Sequence, residues 1–108
     1  MPDDGLRTIA IHRALGRVVV APSGELSRDS TLLLRTILGD LVAGQGNLEL
    51  VIDAMDVVHM HAEVVTVLSE IAVEAAARGA VVVVSLPPDD ARAELERAGV
   101  KTVPRPGA

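Results

Sequence analysis

Residues 48–85 read LELVIDAMDVVHMHAEVVTVLSEIAVEAAARGAVVVVS. Leu48–Ala54 is short and apolar, the pattern of a strand. Ala62–Arg78 sets Val64, Val65, Leu68, Ile71, Ala72 and Ala75 on one stripe at spacings of three and four, with Glu63, Glu70 and Glu74 off it. That periodicity predicts an amphipathic helix, which Gly79 ends. Ala80–Ser85 is an almost pure valine run, as expected of a strand buried on both faces. A strand, a helix and a second strand in this order predict a parallel pair joined by a helical crossover.

The flanks extend the same alternation. Leu6–Arg13 and Val18–Ala21 read as two strands of a hairpin, with Ala14-Leu15-Gly16-Arg17 as its turn and Pro22-Ser23-Gly24 ending the second strand. Arg28–Ala43 is predicted helical, with Leu34, Ile37, Leu38, Leu41 and Val42 on one stripe. Ser27 or Asp29 suits its start and Gly44 its end, and Gly46-Asn47 makes the turn before Leu48. Pro87-Pro88-Asp89-Asp90 opens a third helix, with proline and acids where the first turn favours them. That helix runs to Ala98 and stops at Gly99, and Val100–Val103 adds a last short strand. The fold class expected is α/β: one domain over 1–108 with an ordered core from about 6 to 103. Its sheet is mixed, mostly parallel and four- to five-stranded, with three or more helices. Met1–Gly5 and Pro104–Ala108 are polar or Pro/Gly-containing and are expected to fray. The strand Leu6–Arg13 is expected at a sheet edge, where it can pair with a copy of itself as a homodimer.

Composition narrows the chemistry. The 108 residues contain no Cys, Phe, Tyr or Trp, although 49% are apolar. Disulfides, a thiolate nucleophile, a Cys-ligated zinc site and base stacking on aromatics are therefore excluded. The formal charge is −5, and the basic residues are scattered from Arg7 to Arg105. That balance argues against direct nucleic-acid binding and against a polybasic membrane patch. The longest apolar run is far short of a membrane span, and the N-terminal residues lack the order of a signal peptide. The expectation is a soluble cytoplasmic protein.

The residues themselves offer three candidate constellations. His59 and His61 stand two apart in a strand-like segment, and with Asp56 or Glu63 they have metal-ligand residue types. A polar loop tip accounts for the same residues, and the reading is no metal and no cofactor. Asp53 and Asp56 have the types of an acid–base pair, but no nucleophile, Gly-rich phosphate loop or GxSxG accompanies them. The reading is therefore not an enzyme. Ser23, Ser27, Ser30 and Thr31 gather before the first helix, where capping and turn chemistry explain them. Met60 stands at a loop-to-helix junction, suited either to an adaptable partner contact or to filling a core gap.

Taken together, the elements resemble the STAS domain of the anti-sigma factor antagonists over about Leu6 to Val103. Ser23-Gly24-Glu25-Leu26 is similar to the stretch after that family's second strand. Leu48–Asp53 is similar to its central strand, and Leu95-Glu96-Arg97-Ala98-Gly99-Val100 to its final helix and stop. In the family the loop after the central strand carries Asp-Ser-Ser-Gly, whose first Ser is phosphorylated. In gap-free register those four positions are His61, Ala62, Glu63 and Val64 here. Ala62 has no hydroxyl, so the resemblance implies a divergent member without phosphoserine switching at the usual site. It implies docking to an anti-sigma factor or related kinase-like regulator, with sigma-factor-dependent transcription as the output. The docking surface expected is Asp56, His59, Met60, His61, Ala62 and Glu63, with Ser27 and Asp29 beside them. An alternative partner within the same fold is the ATPase of a membrane transporter. A metal or small-ligand site at His59 and His61 is a further alternative.

Overall fold

The computed structural model describes residues 6–14, 16–44 and 48–105. The expectations for Met1–Gly5, the Gly46-Asn47 turn and residues 106–108 lie outside the described residues. Among the described residues six strands and three helices follow one another: β1 (Leu6–Ala14), β2 (Arg17–Leu26), α1 (Thr31–Ala43), β3 (Glu49–Asp53), β4 (Val57–Met60), α2 (Ala62–Ala77), β5 (Val81–Ser85), α3 (Asp89–Arg97) and β6 (Lys101–Val103). One turn of 3-10 helix, Arg28–Ser30, leads into α1. The strands form one sheet in the order β1-β2-β3-β5-β6, with β4 paired to β2.

β1 and β2 are antiparallel and close on Ala14 opposite Arg17. Gly16 has φ 71°, the left-handed backbone such a tight hairpin turn requires. The other pairings are parallel. Along the sheet the chain always advances in one direction, from β2 to β3 to β5 to β6. A constant crossover hand then places every connecting helix on the same face.

The burial agrees. Val18, Val20, Leu50, Ile52, Val82 and Val84 point into one core with Leu34, Leu38 and Leu41 of α1, Val64, Leu68 and Ile71 of α2, and Ala91 and Leu95 of α3. Every buried apolar residue of the three helices belongs to this cluster. Fully burying one such aliphatic side chain contributes about 1.5–3 kcal/mol, so a core without aromatics suffices.

Three expectations are corrected. β5 is not buried on both faces: Val82 and Val84 are buried, while Val81 and Val83 are half-buried on the face opposite the helices. β2 does not stop at Ala21 but continues through Pro22-Ser23-Gly24 to Leu26. Proline normally argues against a central strand. Here the ladder to β3 covers Arg17–Val20 and the ladder to β4 covers Gly24–Leu26, so Pro22 falls between them. The third correction is β4 itself: Val57–Met60 is a separate strand of the sheet, where the sequence reading has the loop after the central strand with only His59–His61 strand-like. It prolongs the line of β3 along β2 after a three-residue interruption, and makes the sheet six-stranded.

Candidate functional site

The interruption between β3 and β4 is built by local hydrogen bonds. Asp53 Oδ1 accepts the Met55 N–H at 3.1 Å, the bond expected of an aspartate that starts a turn. The Val57 N–H donates to the Ala54 carbonyl at 3.0 Å and closes the turn. The Gly24 N–H donates to the Asp56 carbonyl at 3.0 Å and returns the chain to β2. Along β4 the two end residues, Val57 and Met60, are buried, and the middle pair, Val58 and His59, is exposed. Val58 is 79% exposed and Met55 63%. At the end of β4 the His61 N–H donates to the Leu26 carbonyl at 2.8 Å, which fixes the strand end.

α2 starts at once. His61 is its N-cap, and its Nδ1 accepts the Glu63 N–H at 3.0 Å. A histidine thus fills the place more often taken by Ser, Thr, Asp or Asn. Because Nδ1 accepts, the ring proton of the neutral imidazole is on Nε2. Ala62 is exposed as the first helical residue. Glu63 follows, favoured by the helix dipole and paired with Arg28 at 3.3 Å. That ion pair joins α2 to the turn that carries Ser27 and Asp29. Arg35 and Glu70 make a second ion pair between α1 and α2. An open groove lined by Thr31, Leu32, Arg35, Glu63, Thr66 and Val67 runs between the two helices.

Asp56, His59, His61, Ala62, Glu63, Ser27 and Asp29 therefore gather on contiguous elements: the β3–β4 turn, β4, the first turn of α2, and the turn before α1. Met60 differs. It is only 4% exposed and sits in the core, so it holds β4 down and offers no side chain to a partner. The two imidazoles diverge. His59 Nδ1 lies 3.7 Å from Asp90 on α3, whereas His61 caps its own helix. Among the described residues no three His, Asp or Glu side chains converge as metal ligands would. Asp53 is engaged in its turn, and Asp56 is exposed rather than paired with it in a pocket. Ser30 is buried; its Oγ accepts the Ser27 N–H at 3.2 Å, and Thr31 Oγ1 donates to the Arg28 carbonyl at 2.8 Å, both capping contacts.

Two features escape a reading of the sequence. Val58 is turned outward by β4, and Met55 by the turn that precedes it. Arg105 lies in the stretch expected to fray, yet its guanidinium reaches four backbone carbonyls. The available signal was its setting between Pro104 and Pro106, since proline restricts the residue before it to extended backbone.

Three solved structures share this architecture. An anti-sigma factor antagonist from Mycobacterium paratuberculosis superposes with TM-score 0.77 over 97% of this chain and 91% of its own, at 21% identity. The Bacillus cell fate determinant SpoIIAA in its phosphorylated form does so with TM-score 0.76 over 93% of each chain, at 13% identity. The chain has the STAS fold of the anti-sigma factor antagonists. The unphosphorylated form of SpoIIAA agrees, with TM-score 0.75 over 91% of this chain and 89% of its own, at 13% identity. No family model and no curated protein sequence matches the chain. The STAS fold is thus held here by aliphatic residues with little sequence in common with those neighbours. No helix among the described residues is long and apolar enough to cross a membrane.

Proposed function

We propose that this STAS-fold chain is a regulatory binding protein, not an enzyme. It docks through the β4–α2 junction onto an anti-sigma factor or a related kinase-like regulator, and so acts on sigma-factor-dependent transcription. What supports the reading is the junction itself: Val58 and His59 are exposed on a strand end, and Ala62 and Glu63 on the capped helix start that follows it. The position that would carry a phosphoserine is Ala62, so this surface keeps one charge state. A phosphate there would add about −1.5 to −2 charges. Partner release in this chain then depends on concentration rather than on a kinase acting at that position.

The test is a surface-immobilised titration against purified anti-sigma factor kinases with ATP present. Saturable binding that persists with ATP is expected, and Glu63→Arg should weaken it by about tenfold or more, the effect of losing one interfacial charge contact. Phosphorylation of Ala62→Ser, but not of the parent chain, in the same mixture would tie the switch to this position. Absence of binding to every such kinase overturns the proposal.

A further inference from the structure

Four backbone carbonyls converge beyond the C-terminal ends of β3 and β5. Arg105 Nε donates to the Leu86 carbonyl at 2.9 Å. Its Nη2 donates to the carbonyls of Ala54 at 3.1 Å, Val57 at 3.2 Å and Met55 at 3.3 Å. Three of these acceptors belong to the β3–β4 turn and the start of β4, and the fourth to the passage from β5 to α3. A single planar group therefore joins one segment about fifty residues away in sequence to another 19 residues away. We propose that these carbonyls form a guanidinium-binding site that Arg105 fills in cis, and that its occupancy sets the shape of the β3–β4 turn.

The chemistry selects a guanidinium. The acceptors are all carbonyl oxygens without a carboxylate, so the site supplies direction rather than net charge. A planar fork with five N–H donors can meet several fixed acceptors at once, and it sheds water more readily than an ammonium. A lysine at the same place would be a point charge with shorter reach. The acceptors also need such a donor. Val57 is a buried residue, and a carbonyl left without a partner beside the core is costly; the Ala54 carbonyl, which also accepts the Val57 N–H, gains its second bond from Arg105.

Leu86 gives a second, independent sign that the site is built. Its φ is 58°, the only positive value at a non-glycine among the described residues. A branched side chain adopts that conformation only at a cost and keeps it only where surroundings enforce it. Both backbone groups of Leu86 are engaged on the β6 side: its N–H donates to the Val103 carbonyl at 2.7 Å, and its carbonyl accepts from Arg105. The strained residue thus presents one wall of the site.

This inference stands apart from the docking proposal, and its test needs no partner. In Arg105→Ala, amide hydrogen exchange of Ala54 and Val57 should accelerate by about tenfold or more relative to the parent, as expected on losing bonds to a charged donor. Exchange in the interior of α2 reports global stability and should stay as in the parent. Millimolar methylguanidinium should restore slow exchange at Ala54 and Val57, whereas methylammonium at the same concentration should not. Unchanged exchange in the variant, or equal rescue by both cations, overturns the proposal. Should Arg105→Ala fail to fold, Arg105→Lys is read the same way. Parent-like protection in that variant overturns it, and selective rescue by methylguanidinium supports it.

Discussion

β3 and β5 end side by side, Asp53 opposite Ser85, and the chain leaves them in different ways. From β5 it turns at once through Leu86 and two buried prolines, Pro87 and Pro88, into α3. From β3 it makes an open turn, adds four residues of strand, and enters α2 through a histidine cap. The first passage is sealed; the second displays Met55, Val58 and His59. The cause is local. Two prolines restrict the backbone and donate no hydrogen bonds, so that passage packs against the fold. The β3–β4 turn uses its N–H groups within itself and on β5, and its Asp56 carbonyl accepts the Gly24 N–H, which returns the chain to β2 and prolongs the sheet. A parallel sheet collects the C-terminal ends of its strands at one edge, and of the two passages there the one that is not sealed is the one proposed to bind.

The largest expected effect separates what is buried from what is displayed along β4. Met60→Ala should lower stability by about 2–5 kcal/mol, the range for truncating a buried aliphatic side chain, while Val58→Ser should cost about 0.5 kcal/mol or less. Urea unfolding followed by circular dichroism measures both. Equal losses would mean that β4 has no inward and outward side, and would erase the contrast with the sealed passage. Next in size is the histidine cap. His61→Ala should cost about 0.5–2 kcal/mol, and His61→Asp should recover most of it, because Asp accepts the same N–H and favours the helix dipole. Two equally destabilised variants would show that His61 acts by packing. The smallest effect belongs to the two passages' own contact: Asp90→Asn should change stability by about 0.5 kcal/mol or less, since the His59–Asp90 pair is exposed. A larger loss would show that the displayed passage leans on α3.

Much of the architecture was legible because it is periodic. The stripe through Val64, Leu68 and Ile71 and the run Val81–Val84 define a helix and a strand whatever surrounds them, and Gly79 and Gly99 mark helix ends with φ of 80° and 86°. The surface proposed for docking was placed by the same register. β4 was not legible. Four residues with inward ends and an outward middle, Val57–Met60, have no repeat long enough to show a period. Pro22-Ser23-Gly24 carries the residues of a turn, yet the strand passes through it because the neighbouring ladders leave a gap there. Met60 had two readings open from its type alone, and packing chose the core.

What the sequence determined by itself is the order and type of the long elements and the fact that residue 62, an alanine, has no hydroxyl. These depend on residues near one another in the chain, where periodicity, capping and side-chain chemistry act. The tertiary structure decided which face of β5 lacks helical cover, that Val58 points outward, and that Arg105 is held rather than frayed. Each of those depends on acceptors or neighbours far away in the chain. Arg105 meets carbonyls at 54, 55, 57 and 86 only after β3, β5 and β6 have been brought into one sheet.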